Sequence, residues 1–465
     1  MEVYLQKRWR LEGRTLVYYG IRRKPYLLKN KVKLTKKEFQ AISSLLKQEP
    51  YKSHVLNRLI KQNIVVFKEQ LNKIPVSLKQ AQFCKSCVAN NFMIPGIEFD
   101  DAGLCPMCAS KDDTKEFISI LPMMEDFPKA KKSRFDIAVF YTGGKDSSYL
   151  LYYLAKVKGL RVLALTWEIP FISKTAKQSI ENAKQTFGNV EFVNRRLSDA
   201  DLKIAYKKLY ELSGNTCACP SLAYILFYPL LVSERVPYFV AGNEPVQMKN
   251  LYYNNMAPPI AYRFSKSKVL NILINVFRVL TFRPPFKKGQ FQALMTMKQL
   301  AYGDNVFKKL SGYKNDLIHG VINSLWEIPH LMRPLKRAIR VSSLMGNIPA
   351  FVHIDLDRIN PKGIYKWNDI KELLVNEVGW IAPNEDDKGL HTSCEIEKCK
   401  EYTQFIRFYK MESTMIPFSA IELALATRDK NLNKEQAKEE IEKHLGFSLI
   451  EPKECLIMKN YFKDK

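Results

Sequence analysis

The sequence contains no uninterrupted apolar run of the roughly 18 residues that a bilayer-spanning helix needs, so none is expected. Its opening, MEVYLQKRWR, has no apolar stretch of the kind a secretory leader carries. Histidine is scarce: the six are scattered, with no H-E-x-x-H and no Ser-His-Asp order, so hydrolase chemistry of either kind has no support. Neither G-x-x-x-x-G-K-S/T nor G-x-G-x-x-G occurs, which removes the two commonest phosphate-binding fingerprints. Acids are rare from Lys249 to Gly346, where Asp304, Asp316 and Glu327 stand alone. With no leader visible, a cytoplasmic location is expected. The nine cysteines are then reduced thiols, metal ligands or catalysts rather than a disulfide framework.

What is present centres on YTGGKDSSYLLYYL, Tyr141 to Leu154. The residues before it, Phe135-Asp-Ile-Ala-Val-Phe-Tyr141, are short, β-rich and mostly apolar, and read as a buried strand. Those after it, from Ser147 to about Val157, read as a helix whose apolar face carries Tyr149, Leu150, Tyr152, Tyr153 and Leu154. The loop therefore joins a strand to a helix N-terminus. Gly143 and Gly144 permit positive φ and close backbone approach, so successive N–H groups can converge on an anion at the positive end of the helix dipole.

That loop resembles the S-G-G-x-D-S loop of the PP-loop ATP pyrophosphatases. Thr142-Gly143-Gly144-Lys145-Asp146-Ser147 matches at every fixed position except the first, where Thr keeps the hydroxyl. The resemblance implies ATP as a substrate: an acceptor oxygen attacks the α-phosphorus, pyrophosphate leaves, and the adenylated carbonyl or amide is displaced by nitrogen or sulfur. It also implies that Gly143, Gly144, Asp146 and Ser147 cradle the pyrophosphate, between Thr142 and Ser148. Lys145 lies beside the cradle, and Asp146 positions Mg²⁺.

Arg161-Val-Leu-Ala-Leu-Thr-Trp167 reads as a second parallel strand, Val190-Glu-Phe-Val193 as a third and Val236-Pro-Tyr-Phe-Val-Ala241 as a fourth. A β-α-β unit of this length predicts a right-handed crossover and an α/β, Rossmann-type parallel sheet. Ligands bind such sheets beyond the carboxyl ends of the strands. Trp167 and Glu168 at one end, and Gly242, Asn243 and Glu244 at another, are candidates for nucleotide or acceptor contacts, or simply polar strand ends.

Cys84-Lys-Ser-Cys87 and Cys105-Pro-Met-Cys108 have the spacing of a four-thiolate zinc ribbon. An iron–sulfur cluster is a lesser rival. Such a closed site supplies folding rather than chemistry. The segment CKSCVANNFMIPGIEFDDAGLCPMC resembles the N-terminal ribbon of the N-acetyl sugar amidotransferases, in which a similar ribbon precedes a PP-loop. The likeness runs from about Gln82 to Glu244 and, more loosely, over the C-terminal third. It implies formation of an amidine on an N-acetyl sugar, with ammonia from a glutaminase partner, in surface polysaccharide assembly.

Three further cysteines keep another chemistry open. Cys217-Ala-Cys219-Pro220 precedes an apolar helical segment, Leu222 to Leu231, and a thiol at a helix N-terminus can have a lowered pKa. Cys394 and Cys399 lie in HTSCEIEKC. Sulfur-transferring PP-loop enzymes use cysteines so placed for persulfide and disulfide states, or to hold an iron–sulfur cluster, whereas amidating relatives need none. Cys217, Cys219 and Cys394 are thus catalytic candidates in an alternative reading, thiolation of RNA or a small metabolite with a sulfur-donor partner. A third reading is an idle nucleotide-binding scaffold.

The remaining segments suggest modules around the core. Residues 1–80 read as a small α+β domain of winged-helix or peptide-recognition type. Its elements are β-like runs at Thr15 to Tyr19 and Tyr26 to Leu28, a capping box Thr35-Lys-Lys-Glu38, a second helix at Ser53 to Lys61 and a strand at Ile64 to Phe67. Residues 81–112 form the ribbon, 130–248 the PP-loop core, 249–346 a basic helical insertion, and 347–465 the part that completes the core. Asn431 opens a Glu/Lys-rich surface helix reaching about His444. The net charge of +26 implies an anionic partner such as a nucleotide- or lipid-linked sugar, nucleic acid or a membrane surface, or reflects general lysine bias. Within the insertion, KVLNILINVFRVLTFR, Lys268 to Arg283, interleaves apolar and basic residues and suits either a membrane interface or a buried helix pair. Basic residues beside Tyr252, Tyr253, Tyr262 and Phe264 offer a possible RNA contact.

Overall fold

A computed structural model describes residues 2–22, 30–51, 53–110, 114–214, 219–254, 267–303, 316–383, 390 and 393–463. At the N-terminus β1 (Val3–Leu5) pairs antiparallel with β5 (Val65–Phe67). Strands β2 (Trp9–Glu12), β3 (Thr15–Tyr18) and β4 (Lys31–Lys33) form an antiparallel meander. Of the two β-like runs expected here, Thr15 to Tyr19 becomes β3, and Tyr26 to Leu28 lies outside the described residues. The capping box forms: Glu38 N donates to Thr35 Oγ1 at 3.2 Å, Thr35 N donates to Glu38 Oε2 at 2.8 Å, and the helix Lys36–Leu46 follows. Trp9, Leu16, Ile42, Leu59 and Val65 close a core of their own.

This module is fastened to its neighbours by a buried arginine. Arg8 donates through Nη1 and Nη2 to the carbonyls of Tyr409 and Phe408, each at 2.6 Å. Those are last-turn carbonyls of the helix Glu397–Tyr409, which have no partner within the helix and favour a cation. Tyr18 Oη also donates to Gly96 O, in the segment between the two cysteine pairs, at 2.7 Å.

The centre is a five-stranded, wholly parallel sheet in the order β10-β9-β6-β7-β8. Its strands are β6 (Ile137–Phe140), β7 (Val162–Glu168), β8 (Val190–Arg196), β9 (Tyr238–Ala241) and β10 (Ala350–Phe351). The middle strand β6 is buried throughout, as its unbroken apolar run requires when helices cover both faces. Chain order runs outward from β6 to β8, then returns to β9 on the other side. The switch of direction opens a crevice between the carboxyl ends of β6 and β9.

The third and fourth strands follow the sequence reading with shifted ends: β8 runs on to Arg196, and β9 begins at Tyr238, after Pro237. The helix after the loop runs from Lys145 to Tyr152 and continues as a π-helical turn, Tyr153–Val157. The apolar segment expected at Leu222 to Leu231 is longer, Cys219–Ser233, with Pro229 inside it.

The fifth strand, β10, follows the basic region, which makes that region part of the crossover from β9. Its described helices are Lys268–Leu280, Gln290–Tyr302, Asp316–Trp326 and Pro329–Met345. Lys434–Lys443 forms the Glu/Lys-rich surface helix.

Asp136 anchors the base of the sheet. It is fully buried and accepts from Arg161 Nη2 at 2.6 Å, Arg161 N at 3.0 Å and Ala130 N at 2.7 Å. Burial alone would raise its pKa, but the bonds from Arg161 and Ala130 outweigh it and hold the carboxyl well below the usual range. A depressed carboxylate stabilises the fold above its unfolded pKa of about 4 and loses that contribution as pH falls. Asp136→Asn should therefore cost about 2 kcal/mol in denaturant unfolding at pH 7, with the gap to wild type narrowing towards pH 3. A gap independent of pH would refute the assignment.

Candidate functional site

The loop between β6 and the helix Lys145–Tyr152 is shaped by its own hydroxyls. Ser147 Oγ donates to Gly144 O at 3.1 Å, and Thr142 N donates to Ser147 Oγ at 3.3 Å. Gly144 N points back to Thr142 Oγ1 at 3.4 Å. Gly143 has φ +73°, and a Cβ there would lie 2.5 Å from Ala176 O, so only glycine fits. Gly242, at the end of β9, comes so close that its Cβ would lie 2.8 Å from Ser147 N. Trp380 Nε1 fixes the loop from outside by donating to Gly143 O at 3.0 Å.

Lys145 sits in a cage of carboxylates and rings. Its Nζ lies 2.5 Å from Asp146 Oδ1 and 3.3 Å from Glu244 Oε2. The ammonium also faces the rings of Tyr365 at 4.5 Å and Trp367 at 4.8 Å. Burial disfavours its charge, but Asp146 and Glu244 outweigh this and raise its pKa. Tyr365 Oη donates to Asp146 Oδ1 at 2.8 Å, and Trp367 Nε1 donates to Glu244 Oε2 at 2.6 Å. Burial, then the two carboxylates, push the Tyr365 hydroxyl well above its ordinary pKa, so it remains a donor.

A cavity of about 540 Å³ opens beyond the carboxyl ends of β6, β7, β9 and β10. Thr142, Gly144, Lys145, Asp146 and Ser147 line it, as do Trp167, Gly242 and Asn243. Other expected residues lie elsewhere. Glu168 is off the wall and accepts from Asn194 Nδ2 of the neighbouring strand β8. Ser148 is buried behind the loop, 3.5 Å from Tyr141 Oη, and Gly143 and Glu244 stand behind the wall, Glu244 acting through Lys145.

The cavity also collects residues that sequence reading passed over. His353, at the end of β10, lines it, and burial lowers its pKa to about 4, leaving a neutral imidazole near pH 7. Gln247 and Asn250, from the helix Pro245–Tyr253, line it too.

Two thiols share this wall. Cys219 opens the helix Cys219–Ser233, with Tyr206 Oη 3.9 Å from its sulfur, and Cys394 is drawn in by a bridge between Ile172 and Cys394. Cys217 lies outside the described residues. Cys399 is not part of the wall: it is buried, and its thiol interacts with that of Cys455.

Cys84, Cys87, Cys105 and Cys108 meet apart from the cavity, all four sulfurs lying within 4.8 Å of one another. Cys87 Sγ and Cys105 Sγ are 3.6 Å apart, close to the ~3.8 Å edge of a tetrahedron with metal–sulfur bonds of about 2.3 Å. Ser86 N and Cys105 N approach Cys84 Sγ at 3.4 and 3.3 Å, as donors that suit a thiolate. The group can hold a metal ion.

No family model matches the chain, and no curated protein matches it. Among solved structures it is similar to the U34-tRNA thiolase NcsA from Methanococcus maripaludis with its 4Fe-4S cluster. The identity is 16%, the TM-score is 0.22, and the match covers 56% of this chain and 88% of that one. The likeness of the ribbon segment to N-acetyl sugar amidotransferases thus rests on the residues quoted for it alone.

Lys145→Met leaves Asp146 and Glu244 facing each other without their shared cation. It should destabilise the protein by about 3 kcal/mol at pH 7, read by denaturant unfolding. Adding Glu244→Gln should recover part of that loss. Additive losses in the double variant would show that the cage is not coupled.

Proposed function

We propose that the chain is an ATP-dependent adenylating enzyme that transfers sulfur to an activated carbonyl or amide carbon. One observation carries the reading: the glycine loop and the thiols of Cys219 and Cys394 line the same cavity, at the switch point of a parallel sheet. At about 540 Å³ the cavity is within the usual range for a small-molecule site, ~300–1,000 Å³.

The loop N–H groups and the helix terminus hold the polyphosphate of ATP, and Lys145 exchanges part of its contact with Asp146 and Glu244 for phosphate oxygen. Asp146 offers a carboxylate at the cavity wall, which with substrate phosphates is a common donor set for magnesium. When bound, that ion would neutralise charge on the departing pyrophosphate. The acceptor oxygen bonds to the α-phosphorus as the bond to pyrophosphate breaks. A persulfide on one cysteine then attacks the adenylated carbon, and AMP leaves. The second cysteine attacks the Sγ of the first, which breaks that atom's bond to the transferred sulfur, releases the thiolated product and leaves a disulfide. A thiol reductant supplies the two electrons that restore both cysteines.

The four-cysteine group would hold zinc, with sulfurs too close together to cage a four-iron cube. When bound, the ion supplies folding energy to the ribbon.

The amidotransferase reading uses the same first half-reaction and puts ammonia in place of the persulfide. It is favoured by the order of ribbon motif and loop, and has no use for Cys219 or Cys394.

Peptide mass spectrometry after incubation with a cysteine desulfurase and cysteine separates the two. A persulfide on Cys219 or Cys394, lost in the matching serine variant, is expected; unmodified cysteines in a folded protein would favour ammonia transfer. Independently, Gly143→Ala should weaken magnesium-dependent ATP binding at least about tenfold by calorimetry, because a Cβ there displaces the loop. Unchanged binding would remove the loop from the nucleotide site.

A further inference from the structure

The helix Lys268–Leu280 is built inside out. Its polar stripe of Asn271, Asn275 and Arg278 faces the protein. Asn275 Nδ2 donates to Asn271 Oδ1 at 2.6 Å, while Asn275 Oδ1 accepts from Phe286 N at 2.8 Å. Arg278 Nε donates to Pro284 O at 2.7 Å, with its guanidinium 3.9 Å from the centre of the Phe286 ring. The outward face is apolar: Ile272, Leu273, Phe277 and Val279 are exposed, Leu280 is 73% exposed and the following Phe282 is 97% exposed. A helix docked by burial has the opposite arrangement.

The patch extends beyond this helix. Arg278 Nη2 lies 3.5 Å from Ser343 O, and a Cβ on Gly346 would overlap Pro284 Cγ at 1.9 Å. The end of the helix Pro329–Met345 is therefore adjacent, adding exposed Leu344 and Met345. Lys268, Lys287, Lys288, Arg337 and Arg340 are exposed around these apolar groups. Residues 267–303 and 329–349 contain no aspartate or glutamate.

We propose that this surface seats the protein on an anionic lipid bilayer, with the helix lying in the interfacial plane and its lysines and arginines on lipid phosphates. No helix among the described residues is long and apolar enough to cross a membrane, so the contact is peripheral. Apolar side chains enter the acyl boundary while the basic rim meets negative headgroups. A second copy fits poorly, because face-to-face pairing would bring two predominantly basic rims together, Lys268, Lys287, Lys288, Arg337 and Arg340 outnumbering the nearby Glu125 and Asp355. The inner side of the helix packs through Leu270 and Ile274 near Phe291. Phe291 belongs to the helix Gln290–Tyr302, whose Gln292, Thr296 and Gln299 line the active-site cavity. The helix Gln290–Tyr302 thus stands between the lipid-facing helix and the cavity. The inference does not depend on which nucleophile the enzyme uses.

Flotation of the full chain with vesicles tests it. The protein should float with phosphatidylcholine vesicles containing phosphatidylglycerol, more weakly with phosphatidylcholine alone, and less at high salt. Phe277→Ser, Leu280→Ser and Phe282→Ser combined should reduce binding at least about tenfold while circular dichroism and ATP binding are retained. No flotation at low salt, or flotation indifferent to the triple variant, would overturn the proposal. So would a dimer in sedimentation that the triple variant dissolves, since a second copy would then cover the face.

Discussion

Lys145 is the point at which separate parts of the chain are tied together. Its ammonium is shared between Asp146 from the loop after β6 and Glu244 from the turn after β9, the two carboxylates that flank the switch point. Without that cation, two buried acids would face each other in a poorly solvated space, and each would favour protonation. Tyr365 and Trp367 complete the cage with one donor apiece. The C-terminal part of the chain thereby becomes a wall of a site whose glycine loop lies more than 200 residues earlier. The same segment supplies Trp380 to Gly143 O, so loop conformation and cage are set by one stretch of chain.

The arrangement explains how a charged lysine can be kept in reserve. Asp146, Glu244 and the Tyr365 hydroxyl engage all three donors of the ammonium, while Lys145 and Asp146 themselves line the cavity. A ligand that brings its own negative charge and a cation can take over part of that network, because Lys145 is already largely withdrawn from solvent in the folded protein.

What could be read from the sequence is what is local. The loop, the strands on either side of it, the capping box of Thr35 and Glu38 and the cysteine knuckles each declare themselves within a few residues. What could not be read depends on contacts between distant segments. Nothing in the sequence reading singles out Tyr365 or Trp367, although three N–H or O–H bearing rings at 365, 367 and 380 are a signal that polar partners have to be found. Glu168 follows Trp167 by one residue and is grouped with it in the sequence reading, yet its carboxylate is taken up by Asn194 of the neighbouring strand. The helix Lys268–Leu280 shows another limit. Periodicity reveals that an apolar face exists, but not whether that face points inward, and only the hydrogen bonds of Asn275 and Arg278 decide it.

The four-cysteine group lies apart from the cavity, yet it is mechanically coupled to it. Val88 N lies 3.3 Å from Thr427 Oγ1, and Arg428 Nη1 donates to Met107 O at 3.0 Å, so the cysteine knuckles rest on the helix Phe418–Arg428. The opposite part of that helix carries Phe418 and Glu422 into the cavity wall. Lys434 adds a further tie by donating to the carbonyls of Cys84 and Lys85 at 3.0 and 2.8 Å. Because a helix is stiff over three turns, the placement of the knuckles fixes the placement of Glu422. A metal ion held by the four cysteines would in this way bear on a cavity that it never touches, by deciding where one wall of that cavity stands.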